Sequence, residues 1–370
     1  MKIVQIIARV NRGGTAQWLD ELIKSLRESG NEVSLYAGAV QDGEIEDECF
    51  INSGGIRILG LGRSISLIGD LKAIWQVRKI LKIESPDVLN THTAKAGVIG
   101  RLAALSLGKD RPAIVHTIHG HLLYGYFSKS KSFIFTQIEK FFSSRSDSLI
   151  AAGVKVKNQL LSAGIGTAEI YVVARPSVRL VELESKIELR NNLGISQSEI
   201  VIGWLGRLAP VKRPDRVIEL AKCFKDLIFV IGGDGDLMSS LKVELPPNVR
   251  LLGWSRPEKI WAVSDIALLT SDNEAQPISL IEAGLAGLPA IAENVGSVSE
   301  VIDNNVTGIL VSSLEERIKA INAMAKNMNL RIQMGNRAKK YCESRFGRKQ
   351  FLASHLEAYE LALKRRGPRL

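Results

Sequence analysis

The stretch Ile266-Ala267-Leu268-Leu269-Thr270-Ser271-Asp272-Asn273-Glu274-Ala275-Gln276-Pro277-Ile278-Ser279-Leu280-Ile281-Glu282-Ala283-Gly284 reads as a buried strand, a polar loop and the start of a helix. The apolar run 266–270 has the length of a strand and ends in polar residues. Pro277 suits the first helical position, where its missing N–H costs nothing, and Gly287 followed by Pro289 is a stop signal. Glu274 is then expected in the loop, and Glu282 inside the helix. The amides of Ala275, Gln276, Ile278 and Ser279 are expected to point out of the helix start, a natural place for an anion. A carboxylate beside an anion is better suited to accept hydrogen bonds from hydroxyls. Hydroxyls next to phosphate suggest a sugar nucleotide. Taken alone, the stretch is equally well read as an ordinary acidic helix start favoured by the helix dipole.

Working outward, the same strand-then-helix unit recurs along the chain. Expected strands are Ile3–Ala8, Val33–Ala37, Asp87–Thr91, Ile114–Ile118, Ser148–Ala151 and Ile170–Val173. After Arg175-Pro176 the pattern restarts with Ile200–Leu205, Leu227–Ile231, Val249–Leu252, Ile266–Thr270, Ala290–Ala292 and Gly308–Val311. Apolar runs alternating with helical patterns are the mark of doubly wound α/β folds. The expected architecture is two Rossmann-like domains, 1–175 and 190–348, with a last helix, about Lys349–Leu363 within 349–370, crossing back onto the first. Ligands in such folds sit at the carboxyl ends of strands, so a nucleotide site in a cleft between the halves is expected.

Composition fits this. A chain of 370 residues with 45% hydrophobic content and a mean hydropathy of +0.07 can bury a core in each of two domains. Cys49, Cys223 and Cys342 are far apart and odd in number, without disulfide or zinc spacing, so a reducing cytoplasm is expected. Met1–Arg9 is too short an apolar run for a signal peptide, and no run reaches the length of a membrane span. The net charge of +10 divides into 22 basic against 16 acidic residues through Arg175 and 27 against 23 after it. That even spread argues against a nucleic-acid stripe and fits anionic small molecules or an anionic membrane surface.

Further clusters fall at expected strand ends. Gly206-Arg207-Leu208-Ala209-Pro210-Val211-Lys212-Arg213 offers a guanidinium fork in Arg207 and a point charge in Lys212 that could neutralise a diphosphate without a metal, although the stretch alone reads better as a solvated basic loop. Gly232-Gly233-Asp234-Gly235-Asp236 contains an Asp-x-Asp pair, but Gly-Asp-Gly is usually a turn. Its glycines are read as allowing the backbone close to a nucleotide, and no metal is expected. Gly13 and Gly14 open the first helix and likewise admit a phosphate or sugar, though this is not the dinucleotide fingerprint. His116, His119 and His121 lie together, without acidic or cysteine partners at metal-ligand spacing. His116 fits a sheet histidine, and His119 beside Gly120 is the better site candidate. His92 and Lys95, with Arg101 nearby, could face an acceptor. Tyr124–Arg145 holds seven of the 21 aromatic residues, interleaved with Lys129, Lys131, Lys140 and Arg145. Phe133, Ile134, Ile138, Phe141 and Phe142 share a helical face, read either as core-facing or as a membrane-surface helix bringing a lipid-bound acceptor to the site.

Taken in order, Gly13-Gly14, His119-Gly120, Gly206-Arg207 with Lys212, Glu274-x7-Glu282, Gly287-Leu288-Pro289, Gly296 with Glu300, and Thr307-Gly308 resemble glycosyltransferase family 4 over nearly the whole chain. The family comprises retaining transferases of the GT-B fold, and the first half is similar to enzymes of bacterial surface-polysaccharide assembly. The resemblance implies that Glu282 holds ribose hydroxyls and that Glu274 binds donor-sugar hydroxyls with the amides after it. Arg207 and Lys212 would stabilise the departing diphosphate with help from Gly14, and His119 would lie near the anomeric carbon. Gly233, Ala275, Gln276, Pro277 and Ile278 would line the donor, and the nucleobase would rest against the Gly253-Trp254 backbone. A hexosyl- or N-acetylhexosaminyltransferase using a nucleotide-sugar donor, most readily a UDP-sugar, and a glycan or lipid-linked acceptor is expected. It would need no cofactor or nucleic acid and would work in the cytoplasm or at the inner face of the cytoplasmic membrane through 124–145. A sugar-nucleotide isomerase or hydrolase on the same fold, or a non-catalytic sugar-nucleotide binder, are the rival readings. Ala275 stands where family members commonly have Gly, which would penalise it if φ there is positive. Gly153 stands where many have Ser, and Arg175-Pro176 replaces a Gly-containing linker.

Overall fold

The computed structural model describes residues 1–62, 64, 66–120, 129–179, 182–243 and 245–368, and of 129–131 the backbone. His121 and the segment 124–128 lie outside the described residues. The chain divides into two compact units, Met1–Ser177 with Arg348–Leu370, and Val178–Gly347.

The strands of the first unit are β1 (Lys2–Ile7), β2 (Glu32–Ala37), β3 (Ile56–Arg57), β4 (Val88–His92), β5 (Ala113–Ile118), β6 (Ser148–Ala151) and β7 (Tyr171–Val173). They form a parallel sheet in the order β3-β2-β1-β4-β5-β6-β7. Its helices are α1 (Gly14–Glu28), α2 (Cys49–Asn52), α3 (Leu67–Glu84), α4 (Ala94–Leu105), α5 (Lys129–Ser143) and α6 (Val154–Ser162). The second unit carries β8 (Val201–Leu205), β9 (Ile228–Gly232), β10 (Val249–Leu251), β11 (Ile266–Leu269), β12 (Ala290–Glu293) and β13 (Gly308–Val311), parallel in the order β10-β9-β8-β11-β12-β13. Around them run α7 (Lys186–Asn192), α8 (Pro214–Cys223), α9 (Met238–Lys242), α10 (Pro257–Val263), α11 (Ile278–Leu285), α12 (Leu314–Lys326) and α13 (Met328–Arg345). The chain ends in α14 (Arg348–Arg366), which belongs to the first unit.

Both faces of each sheet are covered, so strand residues are buried on both sides and read as continuous apolar runs. Alternation still sorts them. Ile3 and Ile7 of β1 join the core with α1 and with Phe351, Ala358 and Tyr359 of α14, whereas Val4 and Ile6 join Val77, Leu81, Ile99 and Ala103 of α3 and α4. In β4 and β5, Val88, Ala113 and Val115 face the α14 side, and Leu89 and Ile114 the other. By the same period of two, Gln5, Asn90, His92 and Thr117 face α14.

Two expectations fail. Pro277 is not the first helical residue: its ψ of 103° is extended, and it caps α11 by accepting from the amides of Leu280 and Ile281. In α5, the core-facing reading is wrong for most of the stripe. Phe133, Ile134, Ile138 and Phe141 are exposed, and only Phe142 of that set is buried. Buried Glu139, held by Arg101 of α4, sets the rotation of the helix and turns the aromatic face outward.

Candidate active site

At the carboxyl end of β11 the chain folds into a braced loop. Thr270 is the brace: its hydroxyl accepts from Trp204 Nε1 at 3.0 Å and donates to the carbonyl of Lys212 at 3.0 Å, while its own carbonyl accepts from Arg216. Asp272 N donates to the carbonyl of Val211 at 2.8 Å. These bonds dock the loop after β8 onto the end of β11. That loop turns through Pro210–Lys212 and Arg213, held at φ 49°, before Pro214 starts α8. The outcome is a contact between residues far apart in sequence. Lys212 Nζ meets Glu274 Oε1 at 2.5 Å, and Ser271 Oγ donates to the same oxygen at 2.7 Å. Glu274 is buried, and these two contacts satisfy its Oε1.

Beyond Glu274, the amides of Ala275, Gln276, Ile278 and Ser279 donate to no acceptor among the described residues, whereas Ser297 N donates to the carbonyl of Glu274 and holds the loop. Ala275 is not among the residues at positive φ, so alanine carries no backbone strain there. Gln276 is buried; its Nε2 donates to Glu300 at 3.3 Å, and its Oε1 has no partner. Glu282, in α11, is 5% exposed. Burial first, then the nearby carboxylate of Glu258, push its carboxyl up to about 8, against an opposing pull from Trp261. Arg207 is half exposed, with Asp236 at 3.6 Å. Gly233 is required by the protein's own backbone: a Cβ there would lie 1.8 Å from the carbonyl oxygen of Gly206, and φ is +142°. Asp234 accepts from the adjacent Gly235 amide, a turn contact, and Asp236 faces Arg207.

In the first unit, the polar residues on the α14 side form one chain. His119 Nε2 lies 2.9 Å from His92 Nδ1, His92 Nε2 lies 2.8 Å from Gln5 Oε1, and Gln5 Nε2 donates to the Tyr359 hydroxyl at 3.1 Å. Asn90 also donates to Tyr359, and Thr117 donates to Asn90. With the Gln5 amide so oriented, its oxygen can only accept, so His92 carries its proton on Nε2. His92 Nδ1 then accepts from His119 Nε2–H, and His119 is left with a bare Nδ1. Burial holds His119 down to about 3 and His92 well below the usual histidine range, so both rings are neutral. Trp18 packs edge-on against His119 with ring centroids 5.1 Å apart. Thr93, which follows His92, sits at φ 67°, a strained conformation for a β-branched residue. Gly13 adopts φ 148° as the cap of α1, and the space where its Cβ would stand is open.

Of the residues the sequence singles out, the structure brings together Lys212 and Glu274 in the second unit, and His92 and His119 in the first. His92 is fully buried with both nitrogens engaged, so it presents nothing to an acceptor. Lys95 pairs with Asp70 at 2.7 Å and donates to the carbonyl of Ser64, and Arg101 pairs with Glu139. His116 bonds Thr91 within the sheet. Gln5, Asn90, Tyr359 and Ser271 were not anticipated. For Gln5 and Asn90 the signal is a polar residue in phase with the buried face of a strand; Tyr359, on α14, and Ser271, in the loop after β11, carry no such signal.

The region 185–341 matches the model for glycosyl transferases group 1, and 12–176 that for glycosyltransferase family 4. A galactosyltransferase of Escherichia coli, UDP-Gal:alpha-D-GlcNAc-diphosphoundecaprenol alpha-1,3-galactosyltransferase, is 30% identical over 74% of this chain and 78% of its own. This chain belongs to glycosyltransferase family 4. The O-antigen biosynthesis glycosyltransferase WbnH of Escherichia coli is 25% identical over 85% of this family 4 chain and 86% of its own. The crystal structure of Anabaena Alr3699/HepE in complex with UDP and glucose matches with a TM-score of 0.78 and 20% identity, over 96% of this chain and 98% of that one. That likeness carries the fold, which is GT-B. The chain is a glycosyltransferase, and α11 with the loop before it lies inside the matched group 1 region.

Proposed function

We propose that the chain moves a hexose or N-acetylhexosamine from a UDP-sugar to a glycan or lipid-linked acceptor in bacterial surface-polysaccharide synthesis, with retention of anomeric configuration. The observation that carries this reading is the Lys212–Glu274 pair beside the unpartnered amides of 275–279. An ammonium and a carboxylate that satisfy each other in the free protein can exchange partners when the donor arrives. Lys212 then turns to the diphosphate, and Glu274 accepts from sugar hydroxyls. Gln276 offers its unpartnered Oε1 to the same sugar. Arg207, exposed and loosely held, adds a second cation to the diphosphate, and Glu282 takes the ribose hydroxyls. Gly13 and Gly14 let the backbone approach the phosphates, and His119 presents a neutral acceptor near the anomeric carbon.

In this scheme the acceptor hydroxyl attacks on the face from which the diphosphate departs. The anomeric C–O bond to phosphate breaks, the bond to the acceptor oxygen forms, and the acceptor proton passes to the leaving phosphate. The protein contributes positioning and preorganised charge, without a bound metal. The UDP-galactose donor and the lipid-diphosphate acceptor named for the Escherichia coli relative support the choice of donor and acceptor class. A lipid-linked acceptor would be met at the inner face of the cytoplasmic membrane.

The test is thermal shift with UDP-, GDP- and ADP-sugars in EDTA, on the native chain and Glu282→Ala, followed by turnover with and without a lipid-diphosphate acceptor. Ligand at 100 times its Kd adds about 2.7 kcal/mol. A UDP-selective shift lost in the variant, with product only when acceptor is present, is the expected result. Donor consumption without acceptor would replace transfer by hydrolysis or isomerisation, and no shift with any nucleotide would remove the donor assignment.

A further inference from the structure

The outward surface of α3 has no use in the chemistry above. Leu67, Ile68, Leu71 and Trp75 are exposed by 81%, 71%, 67% and 63%. Spaced at i, i+1, i+4 and i+8, they occupy one side of the first turns of the helix. The same side continues into Lys72, Lys79 and Lys82, all exposed and none in an ion pair among the described residues; Lys79 reaches back over the Trp75 ring at 5.7 Å. The acids of this helix are occupied elsewhere: Asp70 by Lys95, and Glu84 by Tyr36 and Ser34. The outward side of α3 is therefore apolar and purely cationic.

α3 does not stand alone. It packs along α4, and α4 grips α5 through the buried two-point pairing of Arg101 with Glu139 at 2.7 and 3.0 Å. Right-handed crossovers from β3 to β4, β4 to β5 and β5 to β6 place α3, α4 and α5 on one face of the sheet. In that layer α5 turns Phe133, Ile134 and Phe141 outward, with Arg145 stacked on Phe141 at 3.8 Å. α3 thus presents apolar side chains flanked by lysines, and α5 presents apolar side chains beside Arg145.

We propose that the layer α3–α5 is the surface by which this chain lies on an anionic lipid bilayer, with Leu67, Ile68, Leu71, Trp75 and the outward residues of α5 entering the headgroup boundary. A second copy of this chain is a poor occupant, because a symmetric contact would oppose like charges across it. An anionic lipid surface meets both features at once: its headgroups match the lysines, and its boundary accepts the apolar rings. No helix among the described residues is long and apolar enough to cross a membrane, so contact would be at the surface. This inference deepens the lipid-linked acceptor reading by naming the surface that would meet the membrane.

The experiment uses the full chain and vesicles of phosphatidylcholine alone or with phosphatidylglycerol. The native chain should co-sediment with the mixed vesicles and be released by high salt. Leu71→Ser with Trp75→Ser should weaken binding at least tenfold, and Lys72, Lys79 and Lys82→Gln together by about 100-fold. Val243→Ser, which removes an exposed apolar residue of the second unit, should bind like the native chain. UDP affinity and turnover on a water-soluble acceptor should be unchanged in all these variants, so a chain that binds vesicles but not UDP refutes the donor assignment and leaves the membrane surface standing. The proposal is overturned if the native chain ignores mixed vesicles, if the variants bind as it does, or if Leu71→Ser with Trp75→Ser instead converts a dimer into a monomer.

Discussion

Glu282→Gln offers a test whose size follows from the structure. The Glu282 carboxyl is raised from an ordinary 4.5 to about 8, chiefly by burial. Between those values the folded chain keeps a proton that the unfolded chain has released. Stability contributed by this group is full below pH 4.5 and is lost as pH rises toward 8, by up to about 1.4 kcal/mol per pH unit. From pH 5 to pH 7 the loss is about 2–3 kcal/mol. Glutamine keeps the shape and the neutral state but cannot ionise. The variant should therefore gain on the native chain as pH rises, by about 2–3 kcal/mol over that interval, or roughly 5–10 °C in the transition of a unit this size. Urea unfolding at pH 5, 6, 7 and 8 in matched ionic strength measures it. A constant offset between the two proteins across all four pH values would mean that the carboxyl titrates near its ordinary value, and would refute the argument from burial.

The remaining tests address other parts of the site. On the proposed assignment of Glu282 to the ribose, hydroxyl donors would favour its ionised form, so UDP binding at pH 7 should release close to one proton; calorimetry in two buffers of different ionisation enthalpy reads it, and no release removes Glu282 from the ribose site. Arg207→Ala should lower turnover by about 10²-fold yet leave the urea midpoint unchanged, because an exposed pair with Asp236 contributes little. Lys212→Met should lower turnover similarly but also destabilise the chain, since it strands the buried Glu274 carboxylate with Ser271; equal stability would show that Lys212 does not hold Glu274. His92, His116, His119 and His355 all have lowered pKa values and fold neutral. Their contribution is present above about 6.5 and lost as pH falls toward their folded values, so in a Glu282→Gln background stability should drop between pH 6.5 and 5; a flat profile would contradict their burial. Gln5→Leu should release the His92 and His119 tautomers, seen as altered imidazole ¹⁵N shifts, and lower kcat more than it raises KM; unaltered shifts would sink the tautomer assignment.

Most strands were legible because a doubly covered parallel sheet forces continuous apolar runs, which short windows detect. β3 escaped because Ile56–Arg57 is too short to show any period, and both residues are exposed at the sheet edge. The start of α11 was misplaced by one residue because Pro277 satisfies the constraint of a first helical position and of a cap alike. The stripe of α5 shows why periodicity finds a face but not its direction. Nothing local distinguishes a core-facing Phe133 from an exposed one; the answer lies with Arg101, on a different helix, which buries Glu139. Site residues on one loop, such as Glu274 and Gln276, were visible from local chemistry. Lys212 and Glu274 were each visible, but their pairing depends on Thr270 tying two loops together. The chain from His119 to Tyr359 joins four separate elements, so the pairing of its members leaves no local trace.

The two units handle charge in opposite ways, and the proposed reaction gives this a reason. In the second unit the proposed reaction assigns Arg207 and Lys212 the positive charge needed where a diphosphate departs. In the first, cations near the histidines are cancelled, as Arg101 is by Glu139, and the rings stay neutral. At the anomeric centre, positive charge develops on carbon as the leaving group goes. An imidazolium about 4 Å away would oppose it by about 4 kcal/mol at an effective dielectric constant near 20, or roughly 10³-fold in rate. A histidine with an ordinary pKa would be cationic in about a quarter of molecules at pH 7. Held at about 3, His119 is cationic in about one in ten thousand. The Trp18 ring against it and the buried His92 behind it exclude water from one side, and His92 through Gln5 fixes which nitrogen carries the proton. On the proposed reaction, His119 would meet a substrate hydroxyl as a neutral acceptor, without placing a charge beside the anomeric carbon.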